Sequence, residues 1–279
     1  MKNKKKPFRK KTASEVGQLA RLACDLEVHA EKPGNVTPTY FFSDLTVADF
    51  LESSRILEPI VKRAVELGPD APVCSLIEEA MREGKSNANF GILLLIIPLA
   101  AARGESTQDI IRNLDTGETK SLVRAMRKAS LGGVKETKPP KDLSRYDVFS
   151  KGFFDVVDEE KITPFRLMEL SVPYDSLAHE WIFDFPISRN IANNINPRNE
   201  ESVVDEFLRV LASRPDTLIA RKVGLKRAEE ISGMATSVIN GDLEISELDI
   251  YLRSEGNLLN PGTTADLIAA GLFLNLFYD

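Results

Sequence analysis

Four short segments of the 279-residue chain carry the residue types that phosphate and ribose chemistry requires. In the first, Glu27, Lys32, Pro33, Gly34 and Asn35 cluster, with Asp44 shortly after. Lysine supplies a point positive charge for a phosphate, and an asparagine amide both donates and accepts hydrogen bonds. Asp44 offers a carboxylate for a metal ion or for capping the next helix. The second segment is Gly84-Lys85-Ser86-Asn87-Ala88-Asn89-Phe90-Gly91, at the mouth of the most apolar run in the chain. Asn87 and Asn89 need partners there, either a helix end or a ligand, and Gly91 permits close approach. In the third, Arg214-Pro215-Asp216-Thr217-Leu218, Asp216 reads as an N-cap, with Arg221 a turn further on as a planar fork for phosphate. The fourth runs from Asn260 through Pro261, Gly262, Thr263 and Thr264 to Asp266. Asn260 reads as an N-cap, Pro261 as the first helical residue, and Asp266 falls in the first turn. The free N–H groups of such a helix start attract anions.

Each segment also has a plain reading as a turn, a cap or a set of solvated charges. The two Pro-Gly turns stand at opposite ends of the chain, both beside polar side chains. Together they predict one pocket built from both ends, with Lys32, Asn35 and Asp266 converging in it.

Bulk properties narrow the function. The net charge of −6 and the pI of about 5.3 exclude a general nucleic-acid binder. Cys24 and Cys74 lack CxxC spacing and read as buried thiols of a reducing, cytoplasmic compartment. Two histidines, His29 and His179, are too few for a zinc site or a His-based triad. Neither GxxxxGK[ST] nor GxGxxG occurs. Residues 1–11 read as a basic, disordered tail. Residues 90–102, FGILLLIIPLAAA, are too short to span a bilayer and read as a helix buried all round.

Helical periodicity dominates the elements that must position these groups. The pattern predicts helices over 12–29, 44–67, 73–83, 87–103, 107–113, 119–130, 202–213, 218–238, 245–255 and 263–277. Residues 131–147 read as a long surface loop over a ligand, and 183–199 as irregular. No alternating strand pattern appears. The expectation is an all-α, single-domain multi-helix bundle over 12–279 with a buried apolar central helix.

In order and spacing the four segments resemble the triphosphoribosyl-dephospho-CoA synthase family. Its early Pro-Lys-Pro-Gly turn is matched by Glu31-Lys32-Pro33-Gly34-Asn35-Val36, and its Asn-rich helix opening by residues 85–91. Its late Asp-Thr-Asn-Leu is matched by Asp216-Thr217-Leu218-Ile219, and its Ser-Pro-Gly-Gly-Ser-Ala-Asp by residues 260–266. Here Leu218, Ala88 and Thr263-Thr264 depart from the pattern. The resemblance implies an all-helical transferase that moves the 5-triphosphoribosyl group of ATP to the 2′-hydroxyl of dephospho-CoA and releases adenine. It implies Mg²⁺ with the ATP. The carboxylates for this chemistry would be Asp44, Asp216 and Asp266, with Asp44 and Asp266 on the metal. Lys32, Lys85, Arg221 and the amides Asn35, Asn87 and Asn89 would hold ATP, beside Gly34, Gly262, Thr263 and Thr264. Two alternatives stand beside this reading. One is an enzyme of methanopterin-type cofactor biosynthesis acting on another phosphorylated acceptor. The other is a nucleotide-binding regulatory module without turnover.

Overall fold

The computed structural model describes residues 11–43, 45–84, 88–129 and 141–279. Among them lie fifteen α-helices and no strand beyond the isolated bridges Thr37–Tyr40 and Phe42–Leu45. The first half holds α1 (Ala13–His29), α2 (Val47–Leu67), α3 (Val73–Glu83), α4 (Phe90–Ala101), α5 (Gln108–Asn113), α6 (Thr116–Ala129) and α7 (Phe153–Glu160). The second holds α8 (Pro164–Ser171), α9 (Ser176–Ile182), α10 (Pro186–Asn194), α11 (Glu200–Ser213), α12 (Thr217–Val223), α13 (Leu225–Asn240), α14 (Ile245–Arg253) and α15 (Gly262–Tyr278). No described helix is long and apolar enough to cross a membrane.

Helix α4 is the apolar centre, buried from Gly91 to Ala101. It packs against α2, α3, α9 and α15. Each buried Leu or Ile contributes about 1.5–3 kcal/mol, against about 0.5–1.5 for a typical hydrogen bond, so packing places this helix. Pro98 sits inside it and has no N–H, which leaves the Leu94 carbonyl without its helical donor. The indole of Trp181 on α9 donates to that carbonyl at 2.8 Å and makes good the loss. Helix α15 is buried on all sides from Leu267 to Leu274 and packs on α1, α4 and α10. The two ends of the chain therefore lie side by side. Lys11, at the edge of the expected basic tail, donates from Nζ to the Phe277 carbonyl at 2.8 Å.

Helix starts follow local chemistry. At α1 the Thr12 hydroxyl accepts from Glu15 N, and the Glu15 carboxylate accepts from Thr12 N. At α2 the Asp49 carboxylate accepts from the N–H and hydroxyl of Thr46, so the cap is Thr46 and not Asp44, which lies outside the described residues.

Three sequence expectations are corrected. Residues 183–199 are not irregular, because they contain α10. Pro186 takes its first position, where an N–H is dispensable, and buried Glu180 accepts from Ile187 N and Ser188 N at 2.9 and 2.8 Å. The expected 218–238 helix is two helices, broken at Gly224 with φ +98°. Of the expected loop 131–147, residues 131–140 lie outside the description, and Lys141–Tyr146 form a 3₁₀ turn.

The start of α15 also differs: Gly262 is its first residue, Pro261 and not Asn260 precedes it as the cap, and Asp216 reaches across to it. The Asp216 Oδ1 accepts from Leu218 N and Ile219 N at 2.9 and 3.1 Å. Its Oδ2 accepts from Thr264 N and Thr264 Oγ1 at 2.7 and 2.8 Å. One buried carboxylate thus caps α12 and pins α15. Asp216→Ala removes both caps and strands buried donors. The expected cost is about 3 kcal/mol or more, and equilibrium denaturation within 1 kcal/mol of wild type would contradict it.

Candidate active site

A cavity of about 910 Å³ opens where α1 ends and where α4, α9, α12 and α15 begin. Glu27, Asn35, Asn89, Gly91, Asp175, His179, Arg214, Arg221, Thr263 and Asp266 all line it. Both chain ends contribute, as the paired turns implied.

The turn after α1 is held from outside by α14. Gly34 has φ +74°, and a Cβ there would meet the Leu252 Cβ at 2.6 Å. Its N–H donates to Asp249 Oδ1 at 2.8 Å, and Arg253 donates to the Asn35 carbonyl at 3.0 Å. The turn so fixed points Asn35 Nδ2 at Asn260 Oδ1, 2.5 Å away. Asn260 is thereby a bridge between the first and last segments, not the N-cap of α15.

Lys32 is a correction. It is fully buried, and its ammonium bonds Glu27 Oε1 at 3.0 Å, the Ala30 carbonyl at 3.1 Å and the Glu27 carbonyl. All three donors are taken and none is left for a phosphate. Lys32 neutralises Glu27, and it is Glu27, not Lys32, that joins Asn35 and Asp266 in the cavity.

Asp266 stands on the second turn of α15, not the first as the sequence suggests, and faces α4. Its carboxylate occupies the space a side chain at position 91 would fill: a Cβ on Gly91 would lie 1.9 Å from Oδ2. It has no hydrogen-bond partner among the described residues. Burial, followed by the charge of Glu27, raises its pKa well above the ordinary aspartate value, while Arg221 opposes the shift. The group is proton-hungry and gains from any cation placed beside it.

The amides flank it. Asn89 adopts φ +66° at the start of α4, and its Nδ2 donates to the Phe50 carbonyl at 3.3 Å. The side-chain oxygens of Asn35 and Asn89 are buried with no partner among the described residues. Arg221 pairs with Asp175 at 2.6 Å and leaves its Nε unpartnered. The Thr263 hydroxyl accepts from that of Thr217 at 3.3 Å. Gly262 leaves room for Leu218, whose Cδ2 would be 2.6 Å from a Cβ there.

Asp216 and Thr264 do not line the cavity. With four hydrogen bonds received, Asp216 has its lone pairs engaged by α12 and α15. Asp44, Lys85 and Asn87 lie outside the described residues.

A sequence model of the CitG family, ATP:dephospho-CoA triphosphoribosyl transferase, matches residues 13–279. The chain belongs to this family. A solved structure from Archaeoglobus fulgidus, named as a proposed triphosphoribosyl-dephospho-CoA synthase, shares the fold. The TM-score is 0.62 at 24% identity, covering 81% of this chain and 97% of that one. No curated protein matches. The CitG family name gives ATP and dephospho-CoA as the substrates.

Within this CitG-family site, sequence reasoning missed Asp175, His179 and Arg214 and gave Glu27 no role. Asp175 caps α9 through Leu177 N at 2.7 Å while holding Arg221, a pairing between residues far apart in the chain. His179 carried one usable signal, as one of only two histidines.

Two outcomes test this geometry. Because its folded-state pKa is raised, Asp266 favours the folded state at low pH and penalises it as pH rises through that pKa. In ligand-free protein, Asp266→Asn should therefore flatten part of the fall in Tm with rising pH. Parallel wild-type and variant curves would refute the burial argument. Gly91→Ala should drive the carboxylate aside and lower turnover by roughly 10²-fold with little change in Tm. Full activity in Gly91→Ala would show that the close approach is immaterial.

Proposed function

We propose that this CitG-family protein transfers the 5-triphosphoribosyl group of ATP to the 2′-hydroxyl of dephospho-CoA, releasing adenine. The observation that carries the reading is Asp266. It is a partnerless, proton-hungry carboxylate in a cavity whose unpaired amides, Asn35 and Asn89, come from the segments that resemble the family.

The chemistry uses those features in turn. As the bond from the ribose anomeric carbon to adenine breaks, positive charge grows on the ribose. A carboxylate there stabilises it strongly because the surroundings are largely apolar. The acceptor hydroxyl forms its bond to the same carbon and gives up a proton, which leaves overall with adenine. A carboxylate of raised pKa is a better base for that proton than an ordinary aspartate. Asn35 and Asn89 orient the ribose and base, and Arg221 faces the triphosphate.

The residues also fit Mg²⁺. Mg²⁺ is commonly held by one or two carboxylates with substrate phosphates and water. Asp266 supplies one such carboxylate in the cavity, while Lys32 already neutralises Glu27. When bound, Mg²⁺ would neutralise triphosphate charge. Both cysteines are free and buried, in keeping with a reducing, cytoplasmic setting.

Asp266→Asn keeps the shape and removes the charge. Adenine release from ATP with dephospho-CoA should fall by about 10²-fold or more, near 2.7 kcal/mol on the barrier, with no loss of Tm. Unchanged release would reduce Asp266 to a structural residue.

A further inference from the structure

The buried side-chain polar atoms without a partner among the described residues are Asn35 Oδ1, Asn89 Oδ1, His179 Nδ1, Glu206 Oε2, Arg214 Nε and Arg221 Nε. All but Glu206 belong to residues lining the one cavity. Buried polar groups in folded proteins are nearly always paired, so this concentration marks where a ligand completes the set.

The orphans divide by chemistry and by place. The amide oxygens of Asn35 and Asn89 stand with Asp266 and Glu27, where α1 ends and α4 and α15 begin. The three nitrogens stand at the corner of α9, α11 and α12. Arg214 follows the last residue of α11, and Asp216 two residues later opens α12, which carries Arg221. Arg221 is tied to Asp175, the cap of α9, and His179 lies one turn along α9. Ser176 N donates to Thr217 Oγ1 at 3.4 Å, joining the starts of α9 and α12. Burial, and then the charge of Arg214, lowers the pKa of His179. The His179 ring rests on Phe183 with centroids 4.6 Å apart, so its orientation is set by packing.

The balance of charge at this corner is positive. Asp175 offsets Arg221, but Arg214 has no carboxylate partner among the described residues. Glu180 is already engaged with Ile187 N and with the N–H and hydroxyl of Ser188. A guanidinium in a concave, partly buried corner with no acceptor calls for an anion, and its planar fork suits phosphate.

We propose that His179, Arg214 and Arg221 form a phosphoanhydride subsite at this corner of the cavity. His179 and Arg214 were assigned no role by the family motifs, and the subsite rests on the transferase reading only for the identity of its occupant. That occupant is a di- or triphosphate, supplied either by ATP or by the diphosphate of dephospho-CoA. Placing it at the basic corner leaves the sugar to extend toward Asp266, which lies within reach of the Arg221 charge.

The test separates the subsite from the transfer reaction. Binding of inorganic pyrophosphate and tripolyphosphate is measured by calorimetry on wild type, Arg214→Gln and His179→Ala. Each variant removes one of the anion-binding groups, the Arg214 charge and fork or the His179 ring, and Arg214→Lys keeps the charge without the fork. Affinity for at least one anion should fall about 10- to 100-fold in Arg214→Gln, the usual range for a charge-assisted contact, with smaller losses in His179→Ala and Arg214→Lys. Tm in the absence of anion should stay at the wild-type value, while the anion-induced rise in Tm is lost. Unchanged affinity in both Arg214→Gln and His179→Ala overturns the proposal, whether or not the protein releases adenine. Steady-state assays then name the source. A raised KM for ATP alone assigns the corner to the triphosphate, and a raised KM for dephospho-CoA alone assigns it to the acceptor. No change in either KM would also refute a role in substrate binding.

Discussion

The four hydrogen bonds received by Asp216 hold one side of the cavity in place. Its two oxygens face the starts of two helices that belong to different parts of the chain, α12 through Leu218 and Ile219, and α15 through Thr264. Capping one helix is worth about 1 kcal/mol, a modest effect. Capping two with one buried group fixes their relative position, because a shift in either strands donors that water cannot reach. Arg221 rides on α12 and Asp266 on α15, so this carboxylate sets the spacing between a cation and an anion without touching either.

A second buried arrangement decides where charge is tolerated. Lys32 is enclosed with Glu27 and satisfied by two carbonyls as well. An unpaired ammonium at that depth would be costly, and removal of either partner would leave the other uncompensated. The pairing lets a carboxylate persist beside Asp266. Asp266 has no such partner, and Gly91 keeps a side chain from crowding it. The two acids thus have different environments on one wall: one neutralised by the protein, the other available to a ligand.

The apolar centre makes both arrangements possible. Helix α4 is fixed by its buried Leu and Ile residues and by Trp181, which repairs the carbonyl that Pro98 leaves open. Its first turn brings Asn89 and Gly91 to the cavity as a rigid wall. Preorganised polar groups on a dry, fixed wall give up little reorganisation when charge develops in front of them.

Much of this was legible in the chain itself. Apolar spacing at 3.6 residues per turn and the Asp216 cap signal determined an all-helical fold and the approximate limits of most helices expected, because periodicity and caps are local, but α7, α8 and α9 were not expected. The pairing of Asn35 with the 260–266 segment was also foreseeable, since two shaped turns with polar side chains suggest a common partner. Helix α10 was not, because its start depends on Glu180 reaching across from α9, and Pro and Asn otherwise read as a loop. The fate of individual charges was least legible. Lys32 and Arg221 look alike as phosphate cations in sequence, as Asp216 and Asp266 do as carboxylates. Tertiary structure alone buried Lys32 against Glu27, saturated Asp216 with four donors, left Asp266 without a partner and gathered His179, Arg214 and Arg221 at one corner. Hydrogen-bond saturation and desolvation depend on neighbours distant in the chain, and no local pattern records them.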